Sequence, residues 1–293
     1  MSDATLLVLM STLSTGLILG AIFALVAAGV TIVYGCVWLP NASNGQFFLL
    51  AALGAWTLTA SFGWGSAAAT VAVIAMGVLL SLALERVLIR RLYDVANRNI
   101  AYFVLTLGLT QIMSGIFSLT YARWSDQFTL PPLLTGMTMW GPFPMPNNRL
   151  AVLVISFALL GALFWLLRRT WYGRALRAVF QNREAALLRG VNVRSVYRFS
   201  FVLGSTVIFL GGILFALAYS FDLTVAWTMS VTAFAIMIVG GPGSVAGALV
   251  VGLVFGFTQA IVSIFASPTA ATFSYLAAML TMLLVKPTGL FSR

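Results

Sequence analysis

The chain has 293 residues, 61% of them hydrophobic and only 8% charged, with a formal net charge of +10. Apolar runs of about 18 residues or more recur along it, which excludes a soluble globular class and makes lipid the solvent. With no histidine and a single cysteine, Cys36, an internal disulfide and a Cys/His metal site are both excluded.

Unpaired backbone groups are costly in hydrocarbon, so the spanning elements must be helices or a closed barrel, and continuous rather than alternating apolar runs select helices. The opening MSDATLLVLM has no basic n-region, and its apolar run continues towards Val33, too long for a signal-peptide core. It is therefore expected to be the first retained span. Spans are expected near 6 to 35, 46 to 61, 66 to 85, 100 to 120, 150 to 167, 198 to 219, 224 to 239, 245 to 266 and 270 to 285. Several are short enough to be re-entrant or broken. The fold class is thus all-α, a single polytopic membrane domain over residues 1–293 with about eight to nine transmembrane or re-entrant helices. Arg86, Arg90, Arg91 and Arg98 mark one cytoplasmic loop, a segment from Arg168 to Arg198 marks another, and Lys286 and Arg293 put the tail on the same side. An N-terminus outside and a C-terminus in the cytoplasm satisfies all three. Because the basic residues gather at the ends of apolar runs, they read as orientation signals in a bilayer rather than as a nucleic-acid surface.

Between the first two spans, Leu39-Pro40-Asn41-Ala42-Ser43-Asn44-Gly45-Gln46 breaks the apolar pattern. Proline removes a helix donor and disfavours helical geometry before it, and glycine relaxes the backbone soon after. An unwound stretch near membrane depth is tolerable where it lines a cavity or is buried in protein, so Asn41, Ser43, Asn44 and Gln46 are candidate substrate-pathway residues; the plain alternative is a cytoplasmic turn. The loop from Tyr121 to Arg149 holds Trp124, Trp140 and five prolines with Arg123 and Arg149 as its only bases, and is expected to be an extracytoplasmic cap without regular helix. Gly20-Ala21-Ile22-Phe23-Ala24-Leu25 echoes Gly212-Ile213-Leu214-Phe215-Ala216-Leu217 in spans expected to run oppositely, as in an inverted repeat.

The stretch from Arg168 to Arg198 is the one long polar passage and carries eight of the sixteen basic residues. At about 2.5–3.5 kcal/mol per arginine, burying it in lipid would cost on the order of 20 kcal/mol. Within it, Asn182 can cap a short helix, Glu184 then sits in the first turn where the dipole favours an anion, Ala185 and Ala186 keep one face smooth, and Gly190 can terminate it. A rigid knob or an ordinary amphipathic loop both fit. Further on, Gly240-Gly241-Pro242-Gly243-Ser244, with Gly247, Gly252 and Gly256, reads as close helix packing of the small-xxx-small kind, or as part of a gate. The six acids are expected away from the bilayer centre: Asp3, Asp94, Asp126 and Glu184 in loops or the terminus, Glu85 beside Arg86, and Asp222 near the outer boundary. Gradient-driven transport therefore has little to work with.

The Glu-Ala-Ala-x3-Gly pattern of residues 184 to 190 resembles the coupling loop of ABC importer permeases. Gly173 to Asn192 resembles the equivalent loop of the branched-chain amino acid permeases, as do Gly20 to Gly35, Gly240 to Leu253 and Lys286 to Phe291 elsewhere in the chain. The resemblance implies a permease that docks on two ATP-binding cassette ATPase subunits, with a second permease subunit and a periplasmic substrate-binding protein, in the bacterial inner membrane. It also implies that Asn182, Glu184, Ala185, Ala186 and Gly190 couple to the ATPases, and that ATP and Mg are bound by those partners and no cofactor by this chain. One departure is specific. Where the family pattern is close to N-F-A-H-G-E-F, Ser43, Asn44 and Gln46 replace an apolar, a histidine-type and a glutamate-type residue, so two titratable groups are missing and nothing there argues for proton coupling.

No G-x4-G-K-[ST] occurs and Lys286 is the only lysine, so no Walker loop is available on the chain itself. An intramembrane enzyme is hard to assemble without histidine or a central carboxylate pair. A gradient-driven transporter or channel is a competing class, and urea, amide and sugar permeases of related architecture compete within the favoured one.

Overall fold

The computed structural model describes residues 3–37, 41–92, 98–124, 127–140 and 143–291. Among them are nine apolar helices close to the nine expected spans: α1 (Asp3–Val37), α2 (Asn44–Ala60), α3 (Ser66–Val87), α4 (Arg98–Tyr121), α5 (Asn147–Arg169), α8 (Val193–Ala218), α9 (Val225–Gly240), α10 (Val245–Phe265) and α11 (Pro268–Val285). Two short polar helices, α6 (Trp171–Gln181) and α7 (Arg183–Leu188), lie between α5 and α8. Seven helices are long and apolar enough to cross a membrane. The other two, α2 with 17 residues and α9 with 16, reach only about 25 Å at 1.5 Å per residue, short of a hydrocarbon core of about 30 Å.

Glycine sets the closest approaches. Gly252 and Gly256 of α10 lie against Ala24, Gly20 and Gly16 of α1, and Gly204 and Gly211 of α8 lie against Gly29 and Val26 of α1, with no room for a Cβ at any of the four. These pairings run in opposite senses along the chain, so α1 is antiparallel to both neighbours. The result is a central pair, α1 and α8, with 89% and 72% of their most apolar stretches buried, ringed by helices such as α4 and α11 at 22% and 11%. Such an outer face is what lipid or another membrane subunit covers.

The directions follow from what each end touches. Gly35 at the end of α1 and Gly243 before α10 both face Phe180 of α6, and Gly289 after α11 sits on Gly241, so these termini share the α6–α7 end. At the other end Trp56 of α2, Tyr121 of α4, Phe128 and Phe221 form one aromatic cluster, with Trp56 and Phe128 centroids 4.9 Å apart. The N-terminus of α1 and the C-terminus of α11 therefore lie at opposite ends of the bundle. Helices α1 to α4 and α8 to α11 repeat a long, short, medium, medium order with every direction reversed. The echoing hexapeptides 20–25 and 212–217 lie on the two antiparallel helices of the α1–α8 seam, next to the contact of Val26 with Gly211, while Gly20 itself packs on Leu253 of α10 and Gly212 on Phe48 of α2. That is the geometry an inverted repeat requires.

Three details differ from the sequence reading. The polar segment is narrower than 168–198, because α5 runs to Arg169 and α8 starts at Val193, leaving Arg194 and Arg198 on helix rather than loop. The proline-rich loop expected over 121–149 is shorter, since α5 already begins at Asn147; its described residues between α4 and α5 contain no helix but form an unforeseen antiparallel hairpin, β1 (Met137–Trp140) with β2 (Phe143–Pro146), whose prolines 144 and 146 suit an isolated two-stranded edge. Gly243 belongs to a turn, not to a helical pair with Gly247; the close neighbour of Gly247 is Gly240.

Candidate functional site

The α6–α7 corner is built in small steps. Thr170 caps α6 by accepting from the Gly173 N–H at 3.2 Å, and Gly173 lies so close to the Leu167 carbonyl that a side chain there is excluded. The Arg177 guanidinium donates to the same Leu167 carbonyl, tying α6 back to α5. Gly173, Ala175, Leu176 and Val179 are buried against the bundle while Trp171, Tyr172, Arg174 and Arg177 face out, so α6 is amphipathic. The arginines flanking α6 do more than report orientation, since Arg168 at the end of α5 lies 4.2 Å over the Phe164 ring and Arg183 at the start of α7 lies 5.7 Å over Tyr197.

The expected knob is α7. Asn182 Oδ1 accepts from the Ala185 N–H at 3.0 Å, Glu184 occupies the exposed first turn, and Ala186 is the residue that anchors inward. At the far end Gly190 adopts φ +78, its N–H donates to Leu187 at 2.9 Å, and the Val191 N–H donates to Ala186 at 3.1 Å. This double closure is a Schellman ending, which fixes six helical residues that would fray alone. Sequence reasoning missed what the knob offers: Leu187 and Leu188 are exposed, Leu188 by 90%, beside Glu184, Ala185 and Arg189. An apolar tip on a polar element is a docking surface in form.

Phe180, also unforeseen, links this corner to the bundle. A Cβ on Gly35 would lie 2.5 Å from its ring and one on Gly243 would lie 3.4 Å away, so the ring is wedged between the end of α1 and the α9–α10 turn. That turn is the glycine-rich segment. Gly240 packs on Gly247, Gly241 caps α9 with φ +100, Gly243 has φ +82, and Ser244 caps α10 by accepting from the Gly247 N–H at 3.0 Å. The C-terminal strap covers it, with the Leu290 and Phe291 N–H groups donating to Val239 and Gly240 carbonyls at 2.9 and 3.2 Å. These are the orphan carbonyls of a helix end, satisfied from elsewhere in the chain.

The sequence break lies inside the bundle. Leu39 and Pro40 fall outside the described residues, but Asn41, Ser43, Asn44 and Gln46 are all at most 8% exposed, which removes the plain surface turn as a description. Asn41 Oδ1 accepts from the Ser43 N–H at 3.0 Å and the Ser43 hydroxyl at 2.6 Å, a local turn that launches α2. The Ala42 N–H donates to Thr106 of α4 at 3.3 Å and the Gly45 N–H to Ser230 of α9 at 3.0 Å. Gly45 itself abuts the Ala226 carbonyl, with no space for a Cβ, so the starts of the two short helices meet here. Asn41 Nδ2, both amide atoms of Asn44, and Gln46 Oε1 are buried without a hydrogen-bond partner, as is the hydroxyl of Tyr102, one turn before Thr106. At about 1–3 kcal/mol for each unsatisfied group, stability alone opposes such a concentration. Thr106 and Ser230 carried no local signal, being two among several hydroxyl residues on apolar helices.

Among the acids, Asp94 and Asp126 fall outside the described residues, Glu184 is exposed on α7, and Asp222 caps the start of α9, accepting from Thr224 and Val225 N–H groups at 2.8 and 3.2 Å. Glu85 is the exception in burial, at 3% exposure in the last turn of α3.

Residues 12–285 match the family model described as the permease component of the branched-chain amino acid transport system. The chain is 26% identical over 292 residues to the high-affinity branched-chain amino acid transport system permease protein LivH of Escherichia coli (strain K12), covering 95% of this chain and 94% of that protein. It is 26% identical over 296 residues to the permease protein BraD of Pseudomonas aeruginosa, covering 96% and 95%. A shorter match, 37% identical over 93 residues, links 31% of this chain to 24% of the glucose ABC transporter permease protein TsgB13 of Haloferax volcanii. With the family model covering nearly the whole chain and all nine apolar helices, the chain belongs to the branched-chain amino acid transport permease family.

Proposed function

We propose that this chain is the membrane permease subunit of a binding-protein-dependent ABC importer for branched-chain or related small amino acids, placed in the inner membrane with the α6–α7 end in the cytoplasm. A second permease subunit completes the pathway, a periplasmic binding protein delivers substrate, and two ATPase subunits hold ATP and Mg. The observation that carries the reading is α7: a capped, glycine-terminated knob with an apolar tip, projecting from one end of a bundle whose polar interior lies elsewhere. Closure of the ATPases moves the knob, α6 follows as a lever, and Phe180 passes the motion to the ends of α1 and α9. Asn41, Asn44 and Gln46, with Thr106 and Ser230, then gain access to solvent and substrate.

The test is reconstitution with the partner subunits and comparison of Glu184→Arg and Gly190→Pro with the parent. Glu184 is exposed, so its charge reversal leaves the bundle intact and costs α7 only the dipole contribution of about 0.3–1 kcal/mol. ATPase stimulation by loaded binding protein and uptake should both be lost. Intact coupling in both variants would sink the reading. A sugar permease is the second reading, supported by the 93-residue match to the glucose permease. Uptake of leucine, urea and a sugar by the same reconstituted set separates them.

A further inference from the structure

A cavity of about 280 Å³ lies between α3 and α8 at the α6–α7 end, lined by Glu85, Arg90, Asn192, Arg194, Ser195 and Arg198. The coupling and pathway roles above use none of these residues. Glu85 comes from the last turn of α3, Arg90 from the 3-10 turn Ile89–Leu92 that follows it, and the other four from the cap and first turns of α8. Arg194 and Arg198 are one turn apart on one face of α8, a like-charged spacing that a helix disfavours. They also crowd the positive end of a 26-residue helix, where the dipole favours anions instead. Three arginines against one glutamate leave the lining with a formal surplus of two positive charges.

We propose that this cavity binds a phosphate-bearing anion, and that its occupant is the headgroup of an anionic membrane phospholipid. Guanidinium groups match phosphate oxygens in bidentate geometry, and Ser195 adds a neutral hydroxyl donor. The volume is just below the roughly 300–1,000 Å³ of ordinary ligand pockets, so it suits a headgroup rather than a larger metabolite. Both walls are helices long and apolar enough to cross a membrane, and Leu79 and Leu82 expose an apolar surface along α3 beside the Glu85 face, at 66% and 40%. An acyl chain can lie on that surface while its phosphate enters the cavity. Basic pockets between membrane helices at the cytoplasmic side hold acidic headgroups by this same division of labour.

The experiment uses the full chain, delipidated in detergent and titrated with phosphatidylglycerol, phosphatidylcholine or inorganic phosphate, with bound lipid counted by native mass spectrometry and stability by thermal unfolding. R198Q and the triple variant R90Q/R194Q/R198Q should weaken phosphatidylglycerol binding, the triple by about tenfold or more, whereas R198K, which keeps the charge but loses the bidentate fork, falls between parent and R198Q, and R123Q at the hairpin end changes nothing. Elution and unfolding of the lipid-free single variants matching the parent show that the fold is kept. Equal phosphatidylglycerol retention in parent, R198Q and triple variants would overturn the site, as would equal retention of phosphatidylcholine. If inorganic phosphate alone stabilises the parent as strongly as phosphatidylglycerol does, the lipid occupant is overturned in favour of a soluble anion.

Discussion

Asn44→Leu should make this protein more stable and a worse transporter. Asn44 is 1% exposed, and neither atom of its amide has a hydrogen-bond partner. An unsatisfied buried polar atom costs roughly 1–3 kcal/mol, so removing two at similar side-chain volume is worth roughly 2–6 kcal/mol before compensation. The lower end, about 2 kcal/mol, is the expectation, because polar groups in a membrane protein find partial partners in the unfolded reference too. Thermal unfolding of the detergent-solubilised chain, read by monodisperse elution after heating, measures the first half. Uptake by the reconstituted importer measures the second, and a fall of about tenfold or more follows if the amide meets substrate, at 1.4 kcal/mol per decade. A variant that is less stable than the parent by more than about 1 kcal/mol, or that transports normally, refutes the argument that this amide is kept for function.

Gln46→Glu tests the same region through charge. Gln46 is 8% exposed with an unpartnered Oε1, so a carboxylate there buries a charge without a partner, and the detergent-solubilised variant should unfold at a lower temperature than the parent. A parent-like unfolding temperature would mean that the group is solvated. Phe180→Ala removes the wedge between Gly35 and Gly243; with Phe180 only partly buried, the loss is expected near 2 kcal/mol rather than the 3–5 kcal/mol of a full core site. The diagnostic is the ratio of substrate moved to ATP hydrolysed, which should fall while ATPase subunits still bind. An unchanged ratio assigns Phe180 to packing alone.

How much of this was legible depended on range along the chain. The nine spans could be read because lipid demands a run of apolar residues, a signal carried by each segment in itself. The α7 cap was legible for the same reason: Asn182, Ala185, Leu187 and Gly190 settle it among residues at most eight apart. The two short helices were noticed as short, but that their starts meet at Gly45 and Ser230 is a contact across 185 residues that no local pattern encodes. Phe180 was hidden in the same way, since its two glycines lie in distant parts of the chain. The hairpin of residues 137–146 was obscured by its prolines, which argue against central strands and leave an isolated pair unforeseen.

The helix lengths and the proposed motion bear on each other. A helix that spans the bilayer fully satisfies its backbone and gains nothing by moving, whereas α2 begins inside the protein at Asn41 and Ser43 and meets the first turns of α9 through Ser230. That meeting point is therefore where a modest rotation exchanges one set of polar partners for another. Phe180 grips the turn that follows α9, on the far side of that helix from Ser230, so a push on α7 acts on α9 as on a lever whose other end carries the Gly45 contact. In that scheme the unpartnered amides of Asn41 and Asn44 are the groups waiting for new partners, and the apolar surroundings set the return. Ser230→Ala, which removes the acceptor of the Gly45 N–H without adding an atom, should change uptake while leaving ATPase binding at the proposed α7 docking tip unchanged, which separates the two halves of the proposal.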